Sequence, residues 1–329
     1  MMEADVGNEQ AFEDPTVNLL NDMVAELTGK EAAVYLPSGT MCNEIAFRVH
    51  CRQGDEIILD KTSHPLHWEA GGPAALSGAM CRPVEGIRGV FTAAQVHEFV
   101  RPKNKLMPRS ALVSIENTAG GGGGTVWPIE RVTEVAGAAR AHNLAVHMDG
   151  ARLLNAVVAS GTPASAYGNL VDSLWIDLSK GLGCPVGAVL AGSKEFIAEA
   201  WRFKHQFGGA MRQAGIIAAA GVYALRHNIE RLAEDHDNAK LLAEGLAQIK
   251  GIEIDPRAVE TNIVFFGVSG TGLSTTDFSA RLLSEHGIRI GAASPRAMRA
   301  LTHLDVSRAN IETTLRAIEK LTAQASQLA

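Results

Sequence analysis

The sequence predicts an α/β protein: a large domain with a mainly parallel sheet between helices, followed by a smaller C-terminal α/β domain. Three observations predict it. Short apolar runs alternate with helical patterns as far as residue 228, which is the signature of a largely parallel sheet covered on both faces. The polar residues with chemistry to offer stand directly after apolar runs, where ligands of such sheets bind. Beyond residue 228 the pattern changes to a long amphipathic helix, short strands and two further helices.

In chain order, Asp14-Pro15 opens the first helix with a capping carboxylate and a proline at the first helical position, and Gly29 closes it. Apolar runs at 32–36, 56–59, 111–115, 144–148, 173–178 and 186–191 read as buried strands. Residues 129–142 are the clearest helical pattern between strands, and 194–207 and 211–227 read as two more helices. In the smaller domain a helix at 229–249 ends at Gly251, and the last helix starts at Ser307. The expected domains are therefore 1–228 and 229–329, about what 329 residues allow at roughly 150 per domain.

Composition narrows the function. With 30 basic and 36 acidic residues the net charge is −6, and no long basic block exists to bind nucleic acid. An apolar content of 46% excludes wholesale disorder. The most apolar stretch, 214–225, has twelve residues, too few to span a bilayer, and the acidic N-terminus lacks the blocks of a signal peptide. Cys42, Cys51, Cys81 and Cys184 show no CxxC spacing, so neither a disulfide framework nor a metal site is expected. Cytoplasm is the expected location. Five consecutive glycines, Gly120–Gly124, look like a nucleotide loop, but Thr125-Val126-Trp127-Pro128 intervenes before the next helix, and no GxxxxGK[ST] occurs.

The run 144–148 delivers Asp149, Gly150, Ala151 and Arg152, and the run 173–178 delivers Ser179, Lys180 and Gly181. Taken singly, Asp149 reads as a helix cap and Lys180 as a surface lysine. Together they suit Schiff-base chemistry: a lysine desolvated at a strand end is nucleophilic, and a neighbouring aspartate can hold a pyridine nitrogen protonated. Arg152 can fork onto a carboxylate. Ser38-Gly39-Thr40 lies between a strand and a helix, where free amides and the helix dipole favour a phosphate, although Ser at a helix start is more often only a cap. His64, within Ser63-His64-Pro65, can stack on a flat cofactor or act as a base; most lone histidines do neither. Arg299, in an alternating stretch of the smaller domain, is a second carboxylate clamp or simply an exposed cation.

These residues carry a resemblance. EDPTVN (13–18), GKEAAVYLPSGTMCN (29–43), Ser63-His64, IENT (115–118), HMDGAR (147–152), DLSKGLGCPVG (177–187), GGAMRQAG (208–215) and LTHLDVS (301–307) occur in order, and with them the chain resembles the low-specificity L-threonine aldolases. These are fold-type I (aspartate aminotransferase-like) pyridoxal-phosphate enzymes. The resemblance implies that Lys180 forms the Schiff base to pyridoxal 5'-phosphate, that Asp149 pairs with the ring nitrogen and that His64 stacks on the ring near the substrate hydroxyl. It implies that Ser38, Gly39 and Thr40 cradle the phosphate, that Arg212 is a further cofactor-site residue, and that Arg152, itself at the cofactor site, binds the substrate carboxylate with Arg299. The implied reaction is retro-aldol cleavage of a β-hydroxy-α-amino acid to glycine and an aldehyde, in a homodimer or homotetramer with active sites at the subunit interface. The competing expectations are transamination or β-elimination on the same cofactor, and a catalytically impaired homologue.

Three departures from the family bear on those alternatives. Family members carry a further N-terminal segment with an LRSDT-like stretch, and a start codon placed too far downstream is the expected explanation of its absence. Ala119 stands where the family often has histidine, and Ala11 where it often has tyrosine.

Overall fold

The computed structural model describes residues 1–328. The chain divides into two compact units, Met1–Glu230 and Arg231–Ala329.

In the first unit, α1 (Pro15–Thr28) is capped by the Asp14 side chain and closed by Gly29 in the left-handed region at φ 66°. Next come β1 (Ala32–Leu36), α2 (Gly39–His50), β2 (Glu56–Asp60), the short helices α3 (His64–His67) and α4 (Gly72–Ser77), and β3 (Met80–Val84). They are followed by α5 (Ala93–Phe99), β4 (Ser110–Glu116), α6 (Ile129–Ala141), β5 (Ala145–Asp149), α7 (Leu153–Ser160), α8 (Ala164–Gly168) and β6 (Ser173–Asp177). The unit is completed by β7 (Ala188–Gly192), α9 (Lys194–Gln206) and α10 (Gly215–His227).

The seven strands form one sheet in the order β1-β7-β6-β5-β4-β2-β3. Neighbours from β6 through β3 are parallel, and β7 alone runs against both its neighbours. Parallel crossovers require intervening helices, which is why β2, β5 and β6 are buried along their whole length or nearly so. Apolar side chains of β1, β6, β7, α2 and α9 make one core cluster, including Val34, Ile45, Trp175, Leu190 and Ala200.

Three elements depart from the sequence expectations. β3 was not expected, because it is an edge strand that contains Pro83 and is mostly not buried, so no apolar run marks it. α10 begins at Gly215 rather than at 211: the Glu9 N–H and Gln10 Nε2 donate to the carbonyls of Arg212 and Met211, which pulls 211–214 into a loop. The expected helix 229–249 is regular only from Leu232 to Leu246.

The second unit contains α11 (Leu232–Leu246), β8 (Ile263–Phe266), α12 (Thr275–His286), β9 (Gly291–Ser294), β10 (Ala297–Leu301) and α13 (Arg308–Leu328). Its strands form an antiparallel sheet in the order β8-β10-β9. Its own core includes Leu242, Phe266, Phe278, Met298 and Ile318.

Candidate active site

The parallel strands β4, β5 and β6 are neighbours, so the residues at their carboxyl ends are brought together. β5 ends in Asp149, which is buried. Its Oδ1 accepts from the Ala151 N–H at 3.0 Å and its Oδ2 from Asn43 Nδ2 at 2.9 Å. Burial pushes this carboxyl up; the Lys180 charge and the Asn43 bond oppose the shift, while the Glu69 charge adds to it. Asn43, on α2, joins several groups: Nδ2 also donates to Glu69 Oε1 at 2.8 Å, and Oδ1 accepts from Trp175 Nε1 at 2.7 Å and from His147 Nε2 at 3.2 Å. Burial lowers the His147 pKa well below the ordinary histidine value, so its ring is neutral there.

β6 ends in Asp177, whose Oδ1 accepts from the Ser179 N–H and hydroxyl at 2.7 and 2.8 Å. Its Oδ2 pairs with Lys180 Nζ at 2.8 Å, and that ammonium lies 5.4 Å from the centre of the Trp175 ring. The Lys180 side chain remains 34% exposed, so the amine is anchored yet reachable.

Ser38 caps α2: its Oγ accepts from the Met41 N–H at 3.2 Å and its carbonyl from the Cys42 N–H. The capping role that competed with phosphate binding is therefore filled, but it consumes only the later amides. Those of Gly39 and Thr40 have no partner among the described residues, and the Ser38 and Thr40 side chains are exposed. Gly39 has a second reason to be glycine: a Cβ there would lie 2.2 Å from Trp175 Cη2, so the indole occupies that space.

His64 opens α3. Its N–H donates to Glu116 Oε2 at 3.0 Å, and its Nδ1 bonds Glu69 Oε1 at 2.8 Å. The bond to Glu69 raises the His64 pKa above the usual 6.5 despite partial burial. Glu116, at the end of β4, also accepts from the Gly120 N–H at 2.8 Å; burial and the Asp149 charge push it up to about 7. Arg152 follows β5 and approaches the same place, since a Cβ on Gly120 would lie 2.8 Å from Glu116 Oε1 and 3.9 Å from Arg152 Nη1. The glycine run itself is a tight turn closed by the Ala119–Thr125 bridge. A Cβ on Gly122 would meet the Arg88 carbonyl at 1.8 Å, so close packing dictates the glycine.

The beta-eliminating lyase family model matches residues 1–269. The low-specificity L-threonine aldolase of Escherichia coli K12 is 42% identical over 309 residues, covering 94% of this chain and 90% of that protein. The low-specificity L-threonine aldolase 1 of Arabidopsis thaliana is 37% identical over 319 residues, covering 96% and 89%. The solved threonine aldolase of Leishmania major superposes with a TM-score of 0.81 at 19% identity, covering 94% and 90%, a likeness of fold. The chain belongs to the low-specificity L-threonine aldolases, within the beta-eliminating lyase family.

The residues present fit the cofactor of the threonine aldolases. Asp149 is a buried acid whose hydrogen-bond donors are both neutral amides, which complements a protonated ring nitrogen. The amine of Lys180 is reachable at the neighbouring strand end, and the start of α2 offers amides and hydroxyls to a phosphate. Asp149 and Arg152 follow β5, Lys180 follows β6, and His64, after β2, is joined to them through Glu116 at the end of β4 and through Glu69. Arg212 is exposed in the loop before α10, with Nη1 3.5 Å from Asn8 Oδ1. Arg299 lies on β10 of the second unit, with its guanidinium 6.0 Å from the centre of the Phe265 ring. Four groups escaped the sequence reading: Asn43, Glu69, Glu116 and Asp177. Glu116 had a signal, since it stands directly after an apolar run, and Asp177 had a weaker one as the acidic residue that interrupts the run 173–178. Asn43 and Glu69 had none: Asn43 bonds across the fold, and the Glu69 bond to His64, five residues away, follows no regular helix or strand spacing.

Proposed function

We propose that this threonine aldolase cleaves L-threonine, L-allo-threonine or related β-hydroxy-α-amino acids to glycine and an aldehyde, with pyridoxal 5'-phosphate held by Lys180. The observation that carries the reading is the buried Asp149 beside Lys180 at adjacent strand ends, with His64 hydrogen-bonded into the same network. Bound there, the cofactor supplies the electron sink that accepts the pair released when Cα–Cβ breaks.

The chain's own groups do the rest. Lys180 Nζ would tether the cofactor, Asp149 would keep the proton on its ring nitrogen, Ser38, Gly39 and Thr40 would bind its phosphate, and Arg212 would be a further cofactor-site residue. His64 commits Nδ1–H to Glu69, which leaves Nε2 as the lone-pair nitrogen to take the β-hydroxyl proton. Arg152 and Arg299 bind the substrate carboxylate and fix the orientation of the scissile bond.

Among the described residues no helix is long and apolar enough to cross a membrane. The proposed working form is a cytoplasmic homodimer or homotetramer. It is supported by apolar side chains left exposed on the packed helices α1 and α10: Leu19, Ile216 and Tyr223, the last 62% exposed.

The test is an absorbance spectrum with an aldehyde assay. The protein should bind pyridoxal phosphate as a Schiff base and release acetaldehyde from L-allo-threonine or L-threonine, and Lys180→Ala should abolish both. Cofactor-loaded protein that yields keto acid or ammonia and no aldehyde would place it with the transaminating or β-eliminating enzymes instead.

A further inference from the structure

One buried group next to this network has no part in the mechanism above. Glu44 follows Asn43 on α2, and its carboxyl is directed at that of Glu69, both being buried. Neither Glu44 oxygen, nor Glu69 Oε2, has another donor among the described residues, whereas Glu69 Oε1 is fully engaged with Asn43 Nδ2 and His64 Nδ1, each at 2.8 Å. The space for Glu44 is made on purpose by the first residue of α4: a Cβ on Gly72 would lie 2.0 Å from Glu44 Oε1. Two carboxyls confined together cannot both ionise, so the pair keeps one proton between them.

The titratable groups that face the pair decide which carboxyl holds it. Glu69 has His64, from α3, and the Asn43 amide as donors to Oε1. Glu44 has neither; burial and the Glu69 charge push it up to about 9. Cys81, on β3, faces the pair as a thiol, pushed up to about 11 by burial and by the two glutamates. Asp149 on β5 and Glu116 on β4 add negative charge on the His64 side, and Lys180 offsets that of Asp149.

We propose that Glu44 is a positioning residue for the cleavage: as a neutral carboxylic acid it donates its proton to Glu69 Oε2, and so holds Glu69 Oε1 as the anionic acceptor of His64 Nδ1–H. The proposal rests on the assignment of His64 as the base. Glu44 touches neither substrate nor cofactor. It acts by satisfying the far oxygen of Glu69, which limits how tightly Glu69 retains the proton on His64.

Glu44→Leu removes the donor; the Glu69 anion then binds the shared proton of the His64–Glu69 pair more tightly, and the upper titration of that pair moves to higher pH by about one unit. Glu44→Gln restores an N–H donor and leaves the titration in place. Histidine NMR follows the His64 ring in the full-length holoenzyme without turnover, and the acidic limb of kcat/KM should move with it. A second measurement does not depend on the leucine variant folding: the infrared difference between wild type and Glu44→Gln at neutral pH should contain the C=O band of a protonated carboxyl. The proposal is overturned if that band is missing, if Glu44→Leu leaves the His64 titration unmoved, or if Glu44→Gln moves it as far as leucine does. A His64 titration that shifts as expected in a protein releasing no aldehyde upholds the Glu44–Glu69–His64 link and rejects the aldolase reading.

Discussion

His64 shows how one hydrogen bond sets both a tautomer and a pH range. Its Nδ1 faces the Glu69 carboxylate at 2.8 Å, and that bond raises its pKa above the ordinary 6.5. A base works only when deprotonated, so kcat/KM should climb with pH through a limb above that ordinary value. Glu69→Gln keeps an acceptor but removes the charge, so the limb should fall by about one unit in a pH–rate profile. A limb that stays in place would mean that another group titrates. Glu116, pushed up to about 7, titrates in the same region, and Glu116→Gln in parallel separates the two. These residues also mark the reach of sequence reasoning at this scale. Lys180 and Asp149 are legible because a polar residue directly after a buried strand is a local pattern. Asn43 is not legible: it reads as one more polar residue in a helix, and its bond to Asp149 spans 106 positions.

At the scale of elements, the two ends of the first unit are tied by a single carboxylate. Asp14 Oδ1 accepts from the Val17 N–H at 3.0 Å to cap α1, and Oδ2 accepts from the Gly215 N–H at 2.9 Å at the start of α10. Asp14 is fully buried, and a Cβ on Gly215 would lie 2.4 Å from its Oδ1, so the glycine and the aspartate require each other. Half of this arrangement is legible, since Asp14-Pro15 is a helix-start signal; the second cap is a tertiary contact without a local signature. Losing a cap costs about 1 kcal/mol, and a buried donor left unpaired costs more. Asp14→Ala should therefore destabilise the unit by about 2–3 kcal/mol, a fall of roughly 5–10 °C in Tm by thermal unfolding. Asp14→Asn, which keeps an acceptor for one cap, should lose less. The start of α2 gives a companion case: Gly39→Ala forces a Cβ to within 2.2 Å of the Trp175 indole. Overpacking of this kind costs about 1–3 kcal/mol, and it should weaken cofactor retention as well, because the same turn presents the Gly39 and Thr40 amides.

At the scale of the molecule, the two compact units each carry a core of their own, and the proposed site residues divide unevenly between them. Lys180, Asp149, His64, Arg152, Arg212 and the Ser38-Gly39-Thr40 turn all belong to the first unit, and Arg299 alone belongs to the second. The sequence changes pattern after residue 228, while the contact clusters divide after Glu230, and the role of Arg299 comes from the family resemblance alone. That asymmetry separates two functions by experiment. Everything expected to hold the cofactor is in the first unit, so Arg299→Ala should leave the bound-cofactor absorbance and the affinity for pyridoxal phosphate unchanged. Its guanidinium is proposed to meet only the substrate carboxylate, and loss of a charge-assisted hydrogen bond is worth about 1.5–3 kcal/mol. kcat/KM for L-allo-threonine should then fall roughly 10–100-fold, with KM raised by the lost carboxylate contact and kcat lowered by the loosened orientation of the scissile bond. Arg152→Ala should raise KM and also disturb the absorbance, since Arg152 shares the strand-end cluster with Asp149 and Glu116. An Arg299→Ala protein with an unchanged KM would remove that residue from the site.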